Sequence, residues 1–345
     1  MLGDKAQVRL HRAALAAGLA AGFAASVLLS VFVGRAGGAA ASVWTANGFL
    51  AGAFILLPRP WRVGVAAACV AFQGAVDLAA GHGPIRAALY PLINLLESGL
   101  AGWLAIRFCG VRARRLSLRE LALVPIGAIL PAAALAGVAG AVANLVLQGQ
   151  PLPSGWLAWA IPGGLGMTIV LPALLLAARA GQYKEFDRSP LETAAILAGL
   201  GALVVGVFLE RELPLQFAIF PALTLIAVRL GPPGAAAAGL LTAMMALPLT
   251  LVGPAAPGPE SAGRVRVTEL VIAAALFSTL VTAIAVGEQT RLRQLMLGRD
   301  RAARAARQRA RRAESAAAES QAGQSVGAAG QTPGARPRQR VAGMV

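Results

Sequence analysis

The sequence predicts an all-α, polytopic membrane bundle of about eight to ten transmembrane helices. Three observations carry that expectation. Charged residues make up only 13% of the 345 residues, hydrophobic residues make up 57%, and mean hydropathy is +0.68. A soluble chain of this length carries roughly 25% charged residues, so there is too little polar surface to cover a water-exposed globule. Uninterrupted apolar runs of about 17 to 25 residues recur along the chain, the length a helix needs to cross roughly 30 Å of hydrocarbon. The runs are continuous, not alternating in polarity, which favours helices over barrel strands.

The runs place spans at roughly 13–33, 41–57, 63–80, 87–109, 120–147, 155–178, 191–209, 213–229, 234–252 and 266–288. The first is followed at once by others and so reads as a span, not a cleaved leader. Pro58 and Pro60 punctuate the tight turn after the second; Glu210, Arg211, Glu212 and Pro214 punctuate the one after the seventh. In the sixth, Pro162-Gly163-Gly164-Leu165-Gly166 with Pro172 has two readings. Such a stretch can break a helix and expose backbone to a cavity, or it can let two helices approach closely.

Orientation follows from the cations. With ten spans, one side carries 14 Lys and Arg residues before the tail is counted, and the other carries Arg35, Arg86, Arg211, Arg264 and Arg266. Basic residues concentrate on the cytoplasmic side, so both termini are expected there. The formal net charge of +16 is therefore a membrane signature and not a nucleic-acid one: 12 of the 31 basic residues follow Glu288, and most others sit in short loops. The bilayer itself, with its anionic inner leaflet, is the first expected partner.

Three sections emerge: a membrane domain over 1–290, an Ala/Arg-rich cytoplasmic helix over 291–319, and a disordered tail over 320–345 that is poor in hydrophobes. Alanines at 303, 306, 310, 313 and 317 recur at heptad spacing. They suit either a solvated basic helix or a weak homodimeric coiled coil.

Ionisable groups within apolar spans are costly and become functional candidates by default. Asp77 and Glu97 are the clearest. Glu269 and Glu288 lie near the two ends of the last span. Asn94 and Glu97, spaced i, i+3, share one helix face, and Asn47 and Asn144 add amides. A ligand site and a buried interhelical hydrogen-bond network are both open for this set. Asp77, close to His82 and Arg86, reads as solvated or salt-bridged. The tryptophans near span ends fit an interfacial belt; Trp44, three residues before Asn47, stands apart. Cys69 and Cys109 fall in apolar runs and read as small buried hydrophobes. No metal-ligand spacing, phosphate loop or hydrolase motif is present, and His11 and His82 have no neighbouring nucleophile. No cofactor and no enzyme activity are expected.

Several short motifs occur in a fixed order. Trp44-Thr45-Ala46-Asn47-Gly48 precedes Pro58-Arg59-Pro60-Trp61-Arg62, then Asn94-Leu95-Leu96-Glu97 with Arg107. Trp159, Gly166 and Pro172 follow, then Phe220-Pro221 before Ala227-Val228-Arg229-Leu230-Gly231, and last Gly287-Glu288-Gln289-Thr290-Arg291. This order resembles the MASE-one family (MASE1) of bacterial membrane-associated sensor domains over residues 13–292. The resemblance implies perception of a small-molecule or membrane signal in a bacterial inner membrane, with candidate positions at Trp44, Asn47, Asn94 and Glu97 and further ones at Asp77, Gly163, Gly166, Arg229 and Glu269. It also implies a signalling output, a histidine kinase or a diguanylate cyclase, which this sequence does not contain: either a separate partner supplies it or the chain is a truncated relic. Pro162-Gly163 stands where the family commonly has Gly-Asp. A small-solute secondary transporter is the competing expectation, since buried carboxylates and a Gly/Pro-broken helix also serve transport.

Overall fold

The computed structural model describes residues 2–37, 43–111, 118–179, 181, 183, 186, 188–210, 215–252 and 259–329. They are helical throughout their regular parts: α1 Leu2–Gly37, α2 Ala46–Leu56, α3 Arg59–Ala79, α4 Pro84–Phe108, α5 Leu118–Val124, α6 Leu130–Gln148, α7 Leu152–Ala177, α8 Pro190–Leu209, α9 Ile219–Val252 and α10 Pro259–Ala329. Eight helical stretches among the described residues are long and apolar enough to cross a membrane. The chain divides into two units, residues 1–288 and 289–345.

Proline starts many of these helices. Pro60, Pro84, Pro153 and Pro190 occupy the first turns of α3, α4, α7 and α8, where a missing N–H costs nothing because first-turn donors have no intrahelical acceptor. At α8 a capping residue adds to this: Ser189 Oγ accepts from Glu192 N at 3.1 Å. α6 ends at Gly149 in the left-handed region (φ 66°), its N–H returning to Leu145 O.

The second pass departs from the expected full-length span. Its helix has 11 residues, about 16 Å at 1.5 Å per residue, half of a bilayer core; residues 43 and 44 before it are not helical, and 41–42 lie outside the described residues. A short helix beginning at depth leaves its first N–H groups away from water, which is tolerated only when protein surrounds it. It does here: eight of the eleven residues are buried, against α1, α3, α4 and α7. Gly48 and Gly52 bring α2 onto α7, where a Cβ would meet Val170 Cγ1 at 2.9 Å and Leu174 Cδ1 at 2.7 Å.

The fifth pass is composite. α5 and α6 are joined by a π-turn, Pro125–Ile129, in which Leu130 N donates to Pro125 O. Pro131 cannot donate and its ring crowds the carbonyl one turn back, so the wider turn relieves both conflicts. The sixth pass is not broken. α7 runs through Pro162 and Pro172, and its glycines serve close contacts instead.

α9 is two arms. Gly231 (φ 63°, ψ −165°) interrupts it, a conformation open in practice to glycine alone. Arg229 reaches Glu192 at the start of α8, while Met245 lies against Gly201 further along α8 and Pro232 lies beside Gly287. The arm before Gly231 therefore returns along α8, and the arm after it reverses, so the expected spans 213–229 and 234–252 form a hairpin (211–214 lie outside the described residues). Counting α2 and both arms, the described residues make ten passes.

α10 extends through residues 291–312, which are exposed, and on to Ala329. Residues 320–329, expected to be disordered, are helical, since no proline interrupts the Ala-containing stretch; 330–345 lie outside the described residues. Packing within residues 1–288 is built around α2, α4 and α7, with Ala51, Ala101, Ala105, Met167 and Leu171 almost wholly buried.

Candidate functional site

One face of α4 carries Arg86, Tyr90, Asn94 and Glu97, spaced 4, 4 and 3. That spacing keeps them on one stripe about 16 Å long at 1.5 Å per residue. The stripe lines a cavity of about 450 Å³ walled by α1, α3, α4, α6, α7 and the segment before α2. A polar cavity of that size among apolar helices falls within the range of small-molecule sites.

Its mouth is ionic. His82 Nδ1 lies 3.2 Å from Asp77 Oδ1, and the Arg86 guanidinium stacks over Tyr90 at 4.9 Å from the ring centre. Asp77 Oδ2 and Arg86 Nε have no hydrogen-bond partner among the described residues. One wall is a relay from α4 to α6: Tyr90 Oη donates to Asn144 Oδ1 at 2.5 Å and accepts from Gln148 Nε2 at 2.6 Å.

The floor is a buried amide and carboxyl network. Asn47 Nδ2 donates to Glu97 Oε2 at 2.8 Å and to Asn94 Oδ1 at 3.3 Å. Asn94 Nδ2 donates to Gln73 Oε1 at 3.2 Å. Asn47 and Glu97 are each 0% exposed, and Asn94 is 5% exposed. Glu97 Oε1 has no hydrogen-bond partner among the described residues, although the Trp159 indole lies alongside the same carboxyl. Asn47 thus ties the carboxyl to Asn94 and, through it, to Gln73.

α2 owes its position to α7. Trp44 N donates to Pro162 O at 3.0 Å, and a Cβ at Gly166 would overlap the Trp44 backbone, with Thr45 N at 2.7 Å. A Cβ at Gly163 would overlap Glu97, with Oε2 at 2.7 Å. The two glycines thus seat the Trp44–Asn47 segment and the Glu97 carboxyl against α7. Because α2 begins at Ala46, its N-terminal N–H groups and the positive end of its dipole lie at the level of the floor, where they favour negative charge.

Of the residues expected from the sequence, Trp44, Asn47, Asp77, Asn94, Glu97, Gly163 and Gly166 therefore meet around this cavity. Arg229 does not; it pairs with Glu192 at 2.8 Å, with 57% and 33% of the two side chains exposed, a surface contact contributing about 0–1 kcal/mol. Glu269 lies on α10, and its side chain is outside the described residues. Gln73, Tyr90, Gln148 and Trp159 join the site unannounced. Their signal was helical spacing: Gln73 with Asp77, Tyr90 with Asn94, Asn144 with Gln148, each i, i+4. Trp159 belongs to the cavity wall and not to an interfacial belt. It is held edge-on to Tyr90 at 5.0 Å, over a glycine, Gly140, whose Cβ would fill the indole's place. No group of metal-ligating side chains occurs among the described residues.

Fold and site together define a multi-pass membrane protein with a polar cavity let into its helix bundle. The MASE1 profile matches residues 13–290, most of the chain, and the protein belongs to that family of membrane-associated sensor domains. No curated protein and no solved structure matches the chain.

Proposed function

We propose that this protein is a non-enzymatic receptor of a bacterial inner membrane. It binds a small solute from the periplasm in the cavity and passes the signal to a separate cytoplasmic histidine kinase or diguanylate cyclase. The observation that carries this reading is the buried Glu97 carboxyl among the residues lining the cavity, held on one oxygen by Asn47 and set against Gly163. The mouth is formed where α1, α3 and α6 end and α4 and α7 begin, the face with few Lys and Arg, so it opens away from the cytoplasm. Below the floor, Ala101, Met167 and Leu171 are fully buried.

Transport is the second reading. It is favoured by α2, a half-length helix starting at depth beside a carboxyl. Thermal shift of the full chain in nanodiscs against a panel of soluble metabolites separates the two. The expected result is a stabilising ligand whose effect is lost in Ala158→Trp, which fills the cavity, and no uptake of that ligand into proteoliposomes. Uptake would establish transport; a panel in which no compound shifts the wild type would remove the receptor.

Topology is tested independently. Reporter fusions at Gly81 and Gly258 are expected to report the periplasm, and those at Arg114 and Ser320 the cytoplasm. A periplasmic signal at Ser320 would overturn the orientation.

A further inference from the structure

We propose that the cavity takes a protonated amine or guanidinium, with its N–H donors on Glu97 at the floor. This rests on the receptor reading above and names the chemical class of its ligand.

The charges lining the cavity are unevenly placed. Among the described residues, His82 and Arg86 are its only lining bases, and both sit at the mouth, engaged with Asp77 and Tyr90. Glu97 lies about 16 Å further along the same helix stripe, and no cation among the described residues pairs with it. A carboxylate this deep in a bundle is held at a cost unless a positive charge or several donors meet it. Asn47 supplies one neutral donor, to Oε2, and the Trp159 indole lies beside the same carboxyl. Oε1 has no hydrogen-bond partner among the described residues and packs against Gly163, in the wall of the cavity that Glu97 lines. The missing complement is thus a positive group bearing N–H.

The walls suit the same group. Trp44 and Trp159 line the cavity with Glu97, and an indole attracts a cation that reaches its face. Asn94 and Gln73, already joined to each other, offer amide contacts one turn above. A neutral polyol could use those amides, but it would leave the Glu97 charge unmet. A quaternary ammonium would meet the charge and leave Oε1 without a donor. The structure therefore orders three ligands of similar length: primary amine first, quaternary ammonium second, neutral alcohol last.

The test compares 5-aminopentan-1-ol, its trimethylammonium analogue and 1,5-pentanediol, titrated against the full chain in nanodiscs and read by intrinsic tryptophan fluorescence and by melting temperature. The amine is expected to bind at least tenfold more tightly than the trimethylammonium compound, and the diol to give no shift at ten times the amine concentration. Glu97→Gln keeps the side-chain shape and removes the charge. It should weaken the amine at least tenfold, with Ala158→Trp abolishing binding. Equal binding of amine and diol to wild type would overturn the inference, and that comparison needs no variant to fold. Undiminished amine binding in Glu97→Gln would overturn it as well. Neutral compounds that bind wild type and are blocked by Ala158→Trp, with the amine silent, would end the amine assignment and leave the receptor standing. Silence of these probes and of the whole metabolite panel would end both.

Discussion

Replacing Asn47 by leucine is expected to destabilise the bundle by about 3 kcal/mol, because it removes the donor from two buried acceptors, Glu97 Oε2 and Asn94 Oδ1. Asn47 is the only described residue that bridges Asn94 and Glu97, and it lies fully buried at the start of α2. The leucine itself is apolar and of similar size, so the loss comes from the two acceptors and not from the new side chain. A double variant, Asn47→Leu with Glu97→Met, should recover more than half of that loss, since well-packed apolar pairs replace buried polar ones at little cost. Reversible unfolding in mixed detergent micelles measures both, and the double-mutant cycle isolates the coupling. Equal destabilisation in single and double variants would mean that the two side chains do not act on each other.

Gly231→Ala should cost about 3 kcal/mol or more, from two causes that add. At φ 63° and ψ −165° a side chain is strained whatever space surrounds it, by about 1–3 kcal/mol. The space is also taken: a Cβ there would overlap the Phe186 ring, with Cδ1 at 2.8 Å, and overpacking of this kind costs about 1–3 kcal/mol. Gly231→Ala with Phe186→Ala should remove the clash and keep the strain. The same unfolding assay therefore reads the backbone contribution from what the second change fails to restore. Full recovery would show that Gly231 is needed for room alone.

Much of this fold was legible because a lipid-spanning helix announces itself by length and composition. The passes that were misplaced are those where tertiary contacts override that signal. Residues 41–57 are apolar enough for a span, but the backbone bond from Trp44 to Pro162 and the close seat at Gly166 hold residues 43 and 44 outside the helix, which starts at Ala46. Pro162 and the following glycines suggested either a break or a close contact, and sequence alone offers no way to choose. The contact wins because Trp44 and Glu97 fill the space that side chains at 166 and 163 would occupy. At the site, Asn94 and Glu97 could be paired by spacing within one helix. Gln73 and Gln148 could not be assigned, because their partners lie on other helices and no local pattern encodes which helix faces which. Arg229 drew notice as part of the Ala227–Gly231 motif, and the structure pairs it with Glu192 at the start of α8.

The π-turn at Pro125–Ile129 carries one residue more than an α-helical turn would hold. Each residue of an α-helix advances the face by about 100°. The extra residue therefore sets which side of α6 looks inward. If a residue were deleted from the turn, or if the turn relaxed to α-helical bonding, α6 would rotate by about that angle relative to α5, or α5 relative to α6. Asn144 and Gln148 would swing away from Tyr90, and one edge of the polar stripe would be exchanged for the apolar flank that carries Val142 and Val146. The register of α6 is thus written at its beginning, some twenty residues before the side chains that depend on it.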